Sequence, residues 1–435
     1  MSFPRPPLVI ARKPRVPGQG WEEANSWFGG RPRLGGLSWP RDATSNEPLV
    51  FVAQIDLAEI ARHAPEFPTQ GSLAFFVGAR GSCNGAVVHV TGPAAKRATE
   101  PPSDSHPVRE LGSWPFPDDP GPGVEALFPF WPVQLQPLDI EVPNLDGEDV
   151  DLEPMTKAAV AAIAELFPDR GYPSPKSVST VMGGAALPHW WYSARFLAGC
   201  MQNALHRAPK TLAARAPWLQ KARAEYAQLT AAAKPKFGVF GRRAAEPSPE
   251  LERARLNLER VEAENAAYHR DLPRFAALVD ESIAFAAAHR PTDLMPVADW
   301  EKLADLFSRA RGEFEDFSRY ALPYDLAEIE TQSLIYMLTA EDAAYLTIPD
   351  PVRTYVNGHC LLPSSGSWHQ MFGIGEDIQG CAIWENADKH LLLQLVYDET
   401  MHWRFGDVGA FQFWISPEDV KARRFENAIL TFECH

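Results

Sequence analysis

The sequence predicts an α+β protein: an internally duplicated, β-rich core built from both chain ends, with a mostly helical subdomain inserted between them. Three observations predict it. Strand-like segments bounded by Gly and Pro fill both ends, a long run of Ala, Leu, Glu and Arg fills the middle, and the two ends repeat one another in order and spacing.

The N-terminal stretch to Trp21 carries Arg5, Arg12, Lys13 and Arg15. Its only apolar run is Leu8-Val9-Ile10-Ala11, too short for a signal-peptide core, so we read it as an arm. Pro48–Asp56, Gly71–Val77 and Ala86–Val90 read as strands from their β-branched and aromatic residues. Residues 93–143 are rich in proline, which fixes φ and cannot donate to a ladder; they read as a surface connection, partly strand. From about Met155 to Leu346 helix formers dominate. There Leu251, Ala254, Leu258, Val261, Asn265, Tyr268 and Leu272 fall at three- and four-residue steps, a stripe on one helix face that ends at Pro273. A helical hairpin accounts for it better than a partner-binding coiled coil. After Ile348 strand texture returns in Leu391–Tyr397, Ala410–Ile415 and Ala428–Phe432. Between the last two, Ser416, Pro417, Glu418 and Asp419, followed by Lys421, Arg423 and Arg424, mark a short capped helix. The predicted boundaries are 1–145 for the first half of the core, 146–346 for the helical insertion and 347–435 for the second half.

The repeat pairs Phe28-Gly29-Gly30 with Phe372-Gly373, Leu49–Asp56 with Leu391–Asp398, and Gly71–Val77 with Gly409–Ile415. Gln54 lies 17 positions before Gly71, and Gln394 lies 15 before Gly409. Two half-sheets of this kind complete one core by pairing.

Composition narrows the function. A net charge of −15, from 41 basic and 56 acidic residues, opposes nucleic acid and anionic membrane, although a local basic patch remains compatible with it. Five scattered cysteines without a C-x-x-C pair fit a reducing compartment, and no stretch is long and apolar enough to span a membrane. The expectation is a cytoplasmic protein without nucleic-acid or membrane partners.

Trp27–Leu34, Leu37–Arg41, Pro48–Leu57 and Gly71–Phe76 resemble the N-terminal signature of the YwqG family of domains of unknown function. His369–Gly373, Ile378–Gly380, Leu391–Leu395, Asp398-Glu399 and Gly406–Ile415 are similar to its closing signature. The resemblance covers roughly the first 80 and last 70 residues. It implies a bacterial, duplicated α+β domain with the helical stretch as an addition, and it implies no activity.

Several motifs invite chemistry. Gly81–Gly85 has the form of a nucleophile elbow with Cys83 in place of serine, but an elbow needs a helix after it. Here Ala86–Val90 reads as strand, which favours a hairpin turn; a catalytic Cys83 would need a histidine such as His89 to lower its pKa. Gly373-Ile374-Gly375 is followed by Glu376 and Asp377, which would repel a phosphate. Gly29-Gly30 and Gly35-Gly36 read as tight turns in a basic stretch with Arg31, Arg33 and Arg41. His369, Cys381, His402 and Asp407 lack any ligand-spacing motif, so neither a metal nor a cofactor is expected.

The polar candidates are His369-Gln370, Asp398-Glu399 and Arg404 with Asp407, where acid/base work and turn-bracing compete as explanations. Trp39, Arg41, His369, Gln370, Arg404 and Asp407 are the expected cleft residues, Trp39–Arg41 and His369-Gln370 because the other copy shows no counterpart. The preferred function is noncatalytic binding of a protein or peptide partner through the helical insertion, of an immunity or regulatory type. The alternative is a hydrolase with an acid/base pair from His369 and Asp407 or Asp398.

Overall fold

The computed structural model describes residues 5–78, 84–91, 97–105, 127–145, 150–168, 187–233, 248–319 and 321–435. The first end holds β1 (Leu8–Arg12), β2 (Trp27–Phe28), β3 (Val50–Asp56), α1 (Leu57–Ala61), β4 (Ser72–Val77), β5 (Gly85–Val90) and β6 (Trp131–Pro137). The middle holds α2 (Glu153–Leu166), β7 (His189–Trp190), α3 (Tyr192–Ala233), α4 (Pro249–Ala286), β8 (Leu294–Met295), α5 (Val297–Glu313), α6 (Glu315–Ser318), α7 (Leu326–Thr339), α8 (Asp342–Tyr345) and α9 (Asp350–His359). The second end adds β9 (Gln370–Met371), α10 (Ala382–Glu385), β10 (His390–Val396), β11 (Ala410–Ile415), α11 (Pro417–Ala422) and β12 (Ile429–Glu433). The protein is α+β, with one sheet drawn from both ends and helices between.

That sheet is antiparallel in the order β12-β11-β10-β9-β1-β6-β2-β3-β4-β5. Read from either edge inward, three long strands, one two-residue strand and one central strand follow, so the halves are related by a pseudo-twofold. The central strands are exchanged: β1, next to the first half in sequence, pairs with β9, while β6 pairs with β2, and β1 and β6 pair with each other. The two edges curl together, because a Cβ placed on Gly85 in β5 would lie 2.8 Å from Leu430 in β12. Phe75 and Phe413, equivalent in the two halves, meet edge to face at 5.2 Å.

The N-terminal arm is therefore an interior strand. Every residue of β1 is buried, and a five-residue strand buried on both faces shows no polar alternation to betray it. The internal repeat is real, but its register differs in detail. Trp27 opposes Gln54 and Gln370 opposes Gln394, which makes Gly29-Gly30 equivalent to Phe372-Gly373 and Asp56 equivalent to Val396. Phe372 accepts the φ of 58° that Gly29 also adopts. Both long strands carry a bulge two residues before the glutamine, at Val52 and Leu392.

The helices α3 and α4 pack as an antiparallel hairpin, with the small Ala222 and Ala254 buried between them. The stripe from Leu251 to Tyr268 lies in this seam, as the hairpin reading expects. The helix does not stop at Pro273: α4 runs on to Ala286. Phe275, Leu278 and Val279, all buried just beyond the proline, pack into the helical core with α3, α5 and α6. Burying three large side chains offsets the ~3 kcal/mol of an interior proline. Leu334, Ile335, Met337 and Leu338 of α7 instead join the sheet's own core.

Gly71 shows how tightly the halves are built. Its φ is +95°, and an added Cβ would sit 2.3 Å from the Val90 carbonyl oxygen. Gly71→Ala is expected to cost at least about 2 kcal/mol in urea unfolding. Gly36→Ala, also at positive φ but in open space, should cost clearly less; equal midpoints for the two variants would refute the packing argument.

Candidate functional site

The only buried charged network among the candidate residues lies where the exchanged β1 meets the second half. Arg12, at the end of β1, is 1% exposed, Asp398 is fully buried and His369 is 1% exposed. One guanidinium nitrogen, Nη1, donates to Asp398 Oδ2. The other two donate to main-chain carbonyls: Nε to Cys360 at 3.0 Å, Nη2 to Cys360 and Leu362 at 2.8 Å each. His369 Nε2 lies 3.0 Å from the same Asp398 Oδ2, and its Nδ1 accepts the Val396 amide at 3.2 Å. Because Nδ1 accepts, the imidazole is the neutral Nε2–H tautomer with both nitrogens engaged. The other carboxylate oxygen accepts the Thr400 amide at 3.0 Å and so caps the turn at Glu399–Met401. Phe28 and Trp403 close over His369, with ring centroids 4.9 and 5.2 Å away. Burial alone would raise the Asp398 carboxyl. The Arg12 charge and the His369 hydrogen bond outweigh it and hold the group at about 2.

The first half shows what this arrangement replaces. Ser26 stands where His369 does, and its Oγ accepts the Asp56 amide at 2.9 Å, the position equivalent to Val396. Ser26 donates onward to Glu59 at 3.1 Å, as His369 does to Asp398. Thus His369, which looked unmatched, has a counterpart that performs the same backbone task. Gln54 and Gln394 are likewise parallel: each buried carboxamide oxygen accepts an amide of the loop after the glycine turn, that of Arg33 or Glu376, at 2.8 and 2.7 Å. Gln412 fills the space over Gly375 and donates to the Glu376 carbonyl, so the Gly373–Gly375 loop turns its backbone to side chains of the fold.

The other expected cleft residues are spread over separate places. Gln370 is buried, accepting from Trp368 Nε1 and donating to the Ile374 carbonyl at 2.8 Å. Trp39 donates to the Leu49 carbonyl at 2.7 Å and packs against Phe76 on the outer face of the first half. Arg41 makes a two-pronged pair with Asp104 at 2.8 and 3.0 Å. Arg404 pairs with Glu328 of α7 at 3.1 Å, and Asp407 is exposed. His369 thus meets Asp398, whereas no hydrogen bond or ion pair joins it to Asp407 among the described residues. Cys83 lies outside the described residues; β5 follows that segment, as the hairpin reading expects. No group of three or more His, Cys, Asp or Glu side chains among the described residues is arranged to hold a metal ion.

A family model described as a domain of unknown function, DUF1963, matches residues 26–94 and 255–434. The chain belongs to DUF1963. This agrees with the resemblance read from both ends, and the matched segments leave 95–254 between them. In this DUF1963 protein the exchanged strands β1 and β6 both fall outside the match, as does all of α3. No curated protein matches the chain.

A second feature was not legible in any motif. A cleft of about 850 Å³ opens between the Gly18–Glu23 arm, the loop after β2, Phe130 and the junction of α7 with α8. Its residues come from four segments far apart in sequence.

Two acid windows follow from the buried groups. His390, at the start of β10, is pushed down to about 4 by burial and by Arg5, against 6.5 when unfolded. The unfolded chain therefore takes up the proton first, so this stabilisation is complete above pH 6.5 and falls by roughly 3 kcal/mol as pH drops to about 4. His390→Gln should flatten the stability–pH curve in that window. Asp398 acts lower, its contribution lasting above 3.8 and being lost as pH falls through about 2. Asp398→Asn, which leaves Arg12 buried and uncompensated, should cost about 3–5 kcal/mol at neutral pH; denaturant melts showing under 1 kcal/mol would mean that the network does not hold the sheet.

Proposed function

We propose that the protein is a noncatalytic binding protein that engages a protein or peptide partner through the helical hairpin inserted between its two half-sheets, in a regulatory or immunity-type role. The carrying observation is the hairpin's outer face. At ~1.5 Å per residue α3 is ~60 Å long, and Ala222 and Ala254 are the only residues of its outer half and of the facing turns of α4 to be buried before Tyr268. Trp218 is left 68% exposed and Leu256 52% exposed. An exposed tryptophan beside a lysine, Lys221 Nζ being 5.9 Å from its ring, suits an interface anchor better than a solvated helix face.

Charge supports the same reading. Helix α3 holds six Lys/Arg against one Asp/Glu in a chain whose net charge is −15. That helix is thus a local basic stretch, and a partner surface facing it would be acidic. The division into a core from 1–145 and 347–435 around a helical part, 146–346, belongs to this proposal, with α7 as the seam. We also place the protein in a reducing cytoplasm: none of the four described cysteines forms a disulfide, and among the described residues no helix is long and apolar enough to cross a membrane.

The hydrolase alternative has less behind it. A general acid/base pair must reach a substrate, whereas His369 and Asp398 spend their polar atoms on the backbone and on Arg12 under two aromatic rings.

Affinity capture from lysate of the source cells, with the full chain and with Trp218→Ala/Leu256→Ala, tests the proposal. The expected result is a stoichiometric partner whose affinity falls at least about 30-fold in the variant, the ~2 kcal/mol of an anchor residue, with unchanged circular dichroism. Recovery of the same proteins by both forms, or of none, would remove the hairpin from the function.

A further inference from the structure

Helices α3 and α4 contain Pro209, Pro217 and Pro273, and each helix runs on through its prolines. A proline inside a helix has no N–H for the carbonyl four residues earlier, and its ring crowds that carbonyl. Pro217 therefore leaves the Ala213 carbonyl without its helical donor, and Pro273 leaves that of His269. All four residues are exposed. Water can take these carbonyls, and a turn of this kind is where a long helix bends.

The two weakened turns face each other. Across the hairpin the Arg215 guanidinium lies 4.4 Å from the centre of the Tyr268 ring, and Arg223 pairs with Glu262 at 2.9 Å. Arg215 falls inside Ala213–Pro217 and Tyr268 directly precedes His269–Pro273, so both helices lack a hydrogen bond at one level of the hairpin. The packing changes at the same level. On the side of the helical core, Ala204, Ala208, Phe275, Leu278 and Val279 are buried; on the outer side Ala222 and Ala254 are the buried residues of the two helices. Arg215, paired with Asp316 of α6 at 3.4 Å, and Tyr268, stacked on Phe317 at 4.2 Å, clamp this level to the core.

We propose that the turns Ala213–Pro217 and His269–Pro273 form a hinge, about which the outer part of the hairpin pivots against the helical core. Two bends at one level let both helices turn together, whereas a single bend would make one slide along the other. Beyond Pro217 α3 extends for ~24 Å, so a bend of ~20° carries its end through ~8 Å. Trp218 follows Pro217 directly, and the pivot therefore reorients its exposed ring. The hinge is a property of the chain alone, with or without a partner on the hairpin.

Distances in the full chain, read by double electron–electron resonance, test it, with spin labels on p-acetylphenylalanine so that the cysteines are left untouched. One labelled pair replaces Gln228, on the outer part of α3, and Glu385, in the second half; the other replaces Glu301, on α5, and Glu385, all exposed positions. The first distance distribution should be broader than the second by about 4 Å or more. Pro217→Ala/Pro273→Ala, which restores both hydrogen bonds, should narrow the first to the width of the second, leave the second as it was, and raise the urea midpoint. Pro209→Ala, the same change in the part of α3 packed into the core, should leave the first distribution broad. Equal widths in the parent chain, whether both narrow or both broad, would overturn the hinge. So would a first distribution that stays broad in the double variant, or a urea midpoint that falls. Partner capture enters none of these readouts, so failure here and failure of the binding reading are told apart.

Discussion

The fold hangs on a single carboxylate. Asp398 is fully buried, yet it stays ionised because Arg12 and His369 reach it from two directions. Arg12 arrives on β1, the strand that crosses into the other half-sheet, so the ion pair ties residues 386 positions apart in sequence. Taking two charges out of water costs several kcal/mol per ion, and their attraction repays it only when the remaining donors and acceptors are satisfied. Here the carbonyls of Cys360 and Leu362 take the spare guanidinium protons and the Thr400 amide takes the spare oxygen. A buried pair of this kind adds little net stability over an apolar core, but it penalises any arrangement in which β1 is absent or slipped by one residue.

Comparison of the halves explains why so much polarity sits inside. A bulge, a glutamine and a strand-end acceptor recur at equivalent positions, with Ser26 and His369 performing one backbone task by different chemistry. The glutamine must recur because each half has a loop after its glycine turn whose amides would otherwise be buried without partners. Histidine replaces serine only in the half that receives Arg12, where a longer side chain spans the distance from the Val396 amide to the buried carboxylate. Polar residues that resemble catalytic candidates in sequence are therefore consumed by architecture.

Legibility in the sequence followed the locality of the physics. Strands β3, β4, β10 and β11, the α11 cap and the helical middle were all readable, because alternation, capping and helix propensity act within a few residues. The duplication was readable too, although its register slipped by two along β3 and β10 and by one at the glycine turn, since Phe372 occupies a backbone conformation that glycine is expected to mark. The strand β1 was not, because five buried residues among prolines carry no period. Nor was the Arg12–Asp398 pair, because no spacing rule links positions joined only by strand exchange. Of the expected site residues, His369 and Gln370 are buried in hydrogen bonds of the fold itself, and His369, read as unmatched, has Ser26 as its counterpart. Trp39 finds a nearby backbone carbonyl and Asp407 faces solvent, whereas Arg41 and Arg404 pair with carboxylates 63 and 76 positions away, which no local pattern could signal.

Charge distribution then becomes the most informative property of the surface. Removing the five-cation surplus of α3 leaves the rest of the chain more acidic than its total of −15 suggests. The hairpin itself is mixed in charge: α3 is basic, whereas α4 holds eight Asp/Glu against five Lys/Arg, and Arg223–Glu262 ties the two helices while Arg274–Glu313 joins α4 to α5. Part of the basic character of α3 is therefore spent inside the molecule, on Glu262 of α4 and Asp316 of α6, and what remains is a property of one helix rather than of the whole hairpin.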